Sequence, residues 1–273
     1  MHDPTVPGSH PSAHLPCRRR GLLVALALAL AVFLPALAAP AATDAASAYH
    51  VPVLMYHRVS PTIDPGSAYP DLVVTPATFS AQMKALHAAG WHTITAAQLG
   101  AAIKAHTRIA SRTFVITFDD GRDDGYVYAY PILRKYGFTA TYYVITGRIG
   151  RSRYLSWAQL ATMAKHGMEI GNHTVSHTAV SSVHGTALAN AINRAAATIV
   201  THLAALGVTV RVTTFAYPYG SVSTEAHNLL RARGYTLALT EVHGLVNTLK
   251  DPLYAPRIRV SRGESARGLL ASM

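Results

Sequence analysis

Two adjacent carboxylates, Asp119 and Asp120, follow the apolar run Phe114 to Phe118, and two histidines four residues apart, His173 and His177, follow a second apolar run. Adjacent carboxylates at the end of a strand repel, so a cation should stabilise them. Consecutive side chains point in different directions, which lets one bind a metal while its neighbour addresses a substrate. Asp-Gly is also a common turn pair, and either Asp could simply cap the next helix. On a helical turn, the spacing of His173 and His177 brings two imidazoles to one side, as a divalent ion requires. With 15 histidines in the chain, such a pair can also arise by chance. Taken together, two His and one Asp supply three protein ligands and leave positions open for water, the catalytic rather than the closed structural arrangement.

Such groups need a scaffold. Val51 to Tyr56, Thr113 to Phe118, Thr139 to Ile145, Met168 to Asn172, Val212 to Tyr217 and Tyr235 to Thr240 read as buried strands, with Trp91 to Thr95 and Arg257 to Val260 as weaker candidates. Helical patterns lie between them. Thr75 with Pro76 opens one that Gly90 stops; Asp123 or Asp124 caps another ending at Gly137; Ser156 opens a third before Gly167. A longer helix runs from about Gly185 to Leu206. Alternating strand and helix predicts parallel strands with crossover helices. The count suits a distorted (β/α) barrel of about seven parallel strands in a single domain. In a barrel the reactive side chains sit where strands end. Those ends carry His57, Asp119-Asp120-Gly121, Thr146-Gly147, His173 to His177, Pro218-Tyr219-Gly220 and Glu241.

The chain is 50% hydrophobic and 14% charged over 273 residues, which excludes a disordered or fibrous protein. Arg18, Arg19 and Arg20 precede an uncharged apolar stretch and the small-residue run Pro35 to Ala42, the pattern of a secretory signal peptide. An uncleaved membrane anchor is the alternative, because Gly21 to Ala42 is long enough to span a bilayer. Either way the working part is expected to be exported: periplasmic, cell-surface or secreted. The residues after Ala42 carry 21 Lys and Arg against 12 Asp and Glu, a net of +9. With no nucleic-acid motif, that charge suits an envelope polymer rather than nucleic acid. The single cysteine, Cys17, precedes the apolar stretch, so His and carboxylates must hold any metal.

The motifs Thr117-Phe118-Asp119-Asp120-Gly121, Glu169 through His177 and Phe215 through Gly220 resemble those of the polysaccharide deacetylases, also called the NodB-homology or carbohydrate esterase four group. The resemblance covers about Val51 to Val260. It implies a metal-dependent hydrolase that removes N-acetyl groups from a polysaccharide, with residues 1–42 as signal peptide or anchor and 43–273 as the deacetylase domain. It further implies Asp119 as general base and Asp120, His173 and His177 as ligands of a divalent metal. Zn is the default, and Ni or Co could serve. Thr174 matches a position whose hydroxyl steadies the loop, and Tyr219 one whose backbone N–H helps hold an oxyanion.

Two departures stand out. Where the family often has a base-orienting Arg, this chain has Ala216; Arg257 or Arg259 could supply that charge. No late Leu-x-His motif supplies a general acid. Instead, Val53 to Val59 resembles the start of deacetylases acting on exported poly-N-acetylglucosamine, which makes His57 the candidate acid and that polymer the expected substrate. Peptidoglycan, chitin oligomers and acetylated xylan are alternatives, as is a non-catalytic carbohydrate-binding relative. A non-haem iron oxygenase also uses two His and one carboxylate, but the Asp pair and export disfavour it.

Overall fold

The computed structural model describes residues 50–64, 68–246 and 251–273; the expected signal peptide at 1–42 lies outside them. Seven strands form the barrel: β1 (Val53–Tyr56), β2 (Thr113–Phe118), β3 (Thr141–Val144), β4 (Glu169–Asn172), β5 (Thr214–Ala216), β6 (Leu237–His243) and β7 (Ala255–Arg259). All neighbours run parallel, and β1 closes the ring by pairing with both β7 and β2. Closure is uneven: β4 meets β5 through the single pair Asn172–Phe215, and the β6–β7 register shifts between Ala255 and Arg257. The expected strand around Trp91 to Thr95 shrinks to His92–Thr93, which flanks β2 outside the ring.

Alternation along β2 shows how the sequence builds two layers. Phe114, Ile116 and Phe118 join the core packed under the outer helices, whereas Val115 belongs to the separate cluster that includes Val53, Leu237 and Leu239. Helix α1 (Pro76–Ala88) is capped by the Thr75 hydroxyl, and Phe79, Met83 and Leu86 are its buried apolar face. Helix α2 (Ala96–Lys104) has a full capping box from Thr95 and Gln98. Its first turn is tied to strand starts, with Ala96 N–H donating to Thr141 Oγ1 at 2.9 Å and Ala97 N–H to Glu169 Oε2 at 2.8 Å. Helix α4 (Trp157–Lys165) starts at Ser156, and α5 (Gly185–Ala205) is the long crossover. The expected helix after Asp123-Asp124 takes another form: a π-turn at Gly125–Ala129 leads into α3 (Tyr130–Lys135), and neither start has a side-chain cap bond. The Asp124 carboxylate instead accepts a charge-assisted bond from Arg58 Nε at 2.7 Å. Helices α6 (Thr224–Ala232) and α7 (Ala266–Ala271) complete the outer layer.

Candidate active site

The carboxyl ends of β1, β2, β4, β5, β6 and β7 open into one cavity of about 200 Å³. His57, Asp119, Asp120, His173, His177, Tyr219 and Arg259 all line it. Asp119 continues β2 with its N–H bonded to Tyr56 O at 3.0 Å, and its side chain is only 2% exposed. Asp120 turns away in a left-handed conformation at φ 74° and is about a quarter exposed. That reversal places two consecutive carboxylates in different environments. Thr174, His177 and Tyr219 also have positive φ, so four of the seven described non-glycine residues in this strained region belong to the site. Such outliers persist where the surrounding structure over-determines them.

The loop after β4 is a turn rather than the helical turn expected from the spacing. Asn172 Oδ1 accepts from Thr174 N at 2.8 Å, and the Thr174 hydroxyl accepts from Thr178 N at 3.1 Å. The loop after β3 docks on it through Thr146 N to Thr174 O and Gly147 N to Val175 O, at 3.2 and 2.8 Å. Glycine is required there, because a Cβ at position 147 would lie 2.6 Å from Val175 O. The buried His173 ring donates Nδ1–H to Ala216 O at 2.8 Å, which leaves Nε2 as a free lone pair. The carbonyl of Ala216 thus holds the histidine at the point where a family arginine is missing.

His173 Nε2 and His177 Nε2 lie 3.6 and 3.3 Å from Asp120 Oδ1, and the three donor atoms sit within 4.8 Å of one another. Tetrahedral ligands at about 2.0–2.1 Å from a zinc-like ion would be about 3.3–3.4 Å apart. The donor set and the two spacings from Asp120 match a small divalent cation, which would draw the two imidazoles closer together than their spacing of up to 4.8 Å. Burial, then the neighbouring His173, pushes the His177 imidazole down to about 4, so it is neutral and ready to ligate at ordinary pH.

Of the two candidate arginines, Arg257 reaches Asp119. It is fully buried and grips both carboxylate oxygens, with Nη1 to Oδ1 at 2.9 Å and Nη2 to Oδ2 at 2.7 Å. Nη1 also donates to Thr117 Oγ1 at 3.2 Å, and Nε to Thr240 O at 2.9 Å. Burial alone would raise the Asp119 carboxyl, but Arg257, helped by His173, holds it well below the usual carboxylate range. Arg259 sits higher on β7, at the mouth, and pairs with Glu241 instead. His57 presents a buried Nδ1 with no hydrogen-bond partner among the described residues. Burial pushes its imidazole below the ordinary value, against the pull of Asp119 and Asp120. The Tyr219 side chain is 59% exposed, and its ring packs on His177 at 4.3 Å between centroids.

Two features escaped the sequence reading, and a third was read without a role. Glu241 lines the cavity with Arg259, although its place at a strand end marked it. An ion-pair network joins Arg58, Arg122 and Arg153 to Asp64, with Arg58 also on Asp124. Arg148 lines the adjoining part of the cleft. No sequence pattern signals the last two.

Residues 106–238 match the family described as polysaccharide deacetylase. YxkH of Bacillus subtilis, named for the same family, is 30% identical over 217 residues, spanning 79% of this chain and 73% of that protein. The poly-beta-1,6-N-acetyl-D-glucosamine N-deacetylase of Staphylococcus aureus is 28% identical, over 56% of this chain and 56% of its own length. Among solved structures, the Streptococcus pyogenes deacetylase PplD in complex with acetate superposes with a TM-score of 0.77 at 26% identity, covering 83% of this chain and 99% of that one. With its barrel, its Asp-Asp and His-His strand ends and these relatives, the chain belongs to the polysaccharide deacetylase family and is an enzyme.

Proposed function

We propose that this enzyme hydrolyses N-acetyl groups on an exported polysaccharide, poly-N-acetylglucosamine being the substrate the resemblances favour. The observation that carries the reading is the convergence of the Asp120, His173 and His177 donors beside an Asp119 clamped by Arg257, all at one cavity. A divalent ion held by those three residues, Zn by default, when bound supplies acidified water and a polarised acyl oxygen. Asp119, ionised and fixed by Arg257, accepts the proton of the attacking water. His57 lines the same cavity and, in its protonated form, faces the departing amine. His57, its basicity lowered by burial, releases the proton to the departing amine, which cannot leave as an amide anion. The Tyr219 backbone N–H completes the site as a donor toward the acyl oxygen. Residues 1–42 serve as the export signal or anchor, and 43–273 as the catalytic domain.

The test is acetate release by the purified protein from poly-N-acetylglucosamine, peptidoglycan, chitin oligomers and acetylated xylan, with chelator and metal add-back. Acetate from the first substrate above the others supports the reading. Preference for another glycan replaces the substrate, and glycan binding without acetate overturns catalysis.

A further inference from the structure

Beyond Asp120 and His177 the cleft widens into a lobe of about 270 Å³. Its wall is made where the Asp120-Gly121 turn meets the loop after β3, joined by an antiparallel bridge between Arg122 and Tyr154. The Tyr154 ring carries two guanidinium groups, Arg122 at 4.8 Å and Arg148 at 5.6 Å from its centroid. Charge in this lobe does not balance. Asp64 serves Arg58, Arg122 and Arg153, at 2.9, 3.2 and 3.0 Å, and Asp124 shares only Arg58, at 2.7 Å. Asp120, the other carboxylate of the lining, belongs to the histidine cluster. Arg148 donates to the Tyr154 hydroxyl at 2.7 Å, and no carboxylate pairs with it among the described residues. The Nε of Arg122 is buried without a partner.

The deacetylase reading, on which this inference rests, gives the lobe a consequence. One water and one N-acetyl amide yield acetate and an amine, and the amine takes up a proton, so each turnover converts a neutral sugar into a cation. We propose that the Arg122–Arg148–Tyr154 lobe is a neighbouring-sugar subsite that accepts an uncharged N-acetylated unit and rejects a protonated glucosamine. The enzyme then spaces its products along the polymer instead of building blocks of them. The aromatic surfaces of Tyr69, Tyr154 and Tyr219 along the lobe suit a sugar ring. A cation seated among them lies well within a Debye length, about 10 Å at 0.1 M salt, of the Arg148 guanidinium, which no carboxylate pairs with among the described residues.

The experiment compares kcat/KM for acetate release from a fully N-acetylated glucosamine pentamer with that from pentamers bearing one glucosamine beside the reacting unit. Product positions are read by mass spectrometric sequencing. A glucosamine on the Arg148 side should lower kcat/KM about tenfold, or about 1.4 kcal/mol. The ratio should close toward one in about 1 M salt, where the Debye length is about 3 Å. Arg148→Gln should narrow it to about threefold or less, whereas Arg148→Lys should keep it. Equal rates for the two pentamers, or a ratio indifferent to both salt and Arg148→Gln, would overturn the proposal. Absence of acetate from even the fully acetylated pentamer would sink the deacetylase reading instead. The subsite is then judged by fluorescence titration with fully acetylated and fully deacetylated pentamers, and equal affinities refute it.

Discussion

Arg257→Gln removes the guanidinium that holds both oxygens of Asp119 at 2.9 and 2.7 Å, and leaves a carboxylate only 2% exposed without its counter-charge. Breaking a buried pair from one side costs about 3–5 kcal/mol. The pH dependence follows from the direction of the shift. Asp119 in the intact protein lies below its ordinary value of 3.8, so the pair contributes stability that is present above 3.8 and lost as pH falls through the lower folded value. Without Arg257, burial dominates and the folded value moves above 3.8. Urea unfolding at neutral pH should therefore show the full loss, narrowing as the pH drops to about 4 and Asp119 becomes neutral. The acidic limb of the acetate-release profile should move up by at least about one pH unit. Adding Asp119→Asn to Arg257→Gln removes both charges and should restore part of the stability, although it abolishes turnover. A variant within about 1 kcal/mol of the parent at neutral pH, or a double variant less stable than Arg257→Gln alone, would refute the coupling.

Asp120→Ala and His173→Ala should each lose bound metal and activity together, whereas Asp119→Asn should keep metal and lose turnover; metal analysis of the purified variants separates the cases. His57→Ala should depress amide hydrolysis far more than hydrolysis of activated aryl acetates, whose leaving group needs no proton, and equal losses on both would remove its acid role. Thr95→Ala breaks the capping box of α2, where Thr95 Oγ1 accepts from Gln98 N at 3.2 Å and Gln98 Oε1 from Thr95 N at 2.8 Å. It should cost about 1 kcal/mol in unfolding without moving the pH profile.

The barrel strands were legible because each is a short apolar run closed by a turn; β2 appears at the expected bounds, and the others are trimmed by one to three residues or extended at one end. Helices α2 and α6 were not read, although Thr95 and Ser223 cap them. The strand ends that carry Asp119, Asp120, His173 and His177 meet at one cavity. What the sequence left open was which arginine meets Asp119. Arg257 and Arg259 share a strand face by parity, so alternation cannot separate them. Depth does: Arg259 stands level with Met55 at the rim, while Arg257 lies two residues deeper and extends upward inside the ring. Depth depends on register between β1 and β7, two strands about 200 residues apart, and no local pattern encodes it.

The most direct test is a titration of the stripped protein with zinc, following bound metal and acetate release from N-acetylglucosamine oligomers together. One ion per chain should restore activity in proportion to occupancy, and Asp120→Ala should abolish both. Undiminished acetate release from protein shown to hold no metal, or full zinc binding by Asp120→Ala, would contradict the shared Asp120, His173 and His177 centre.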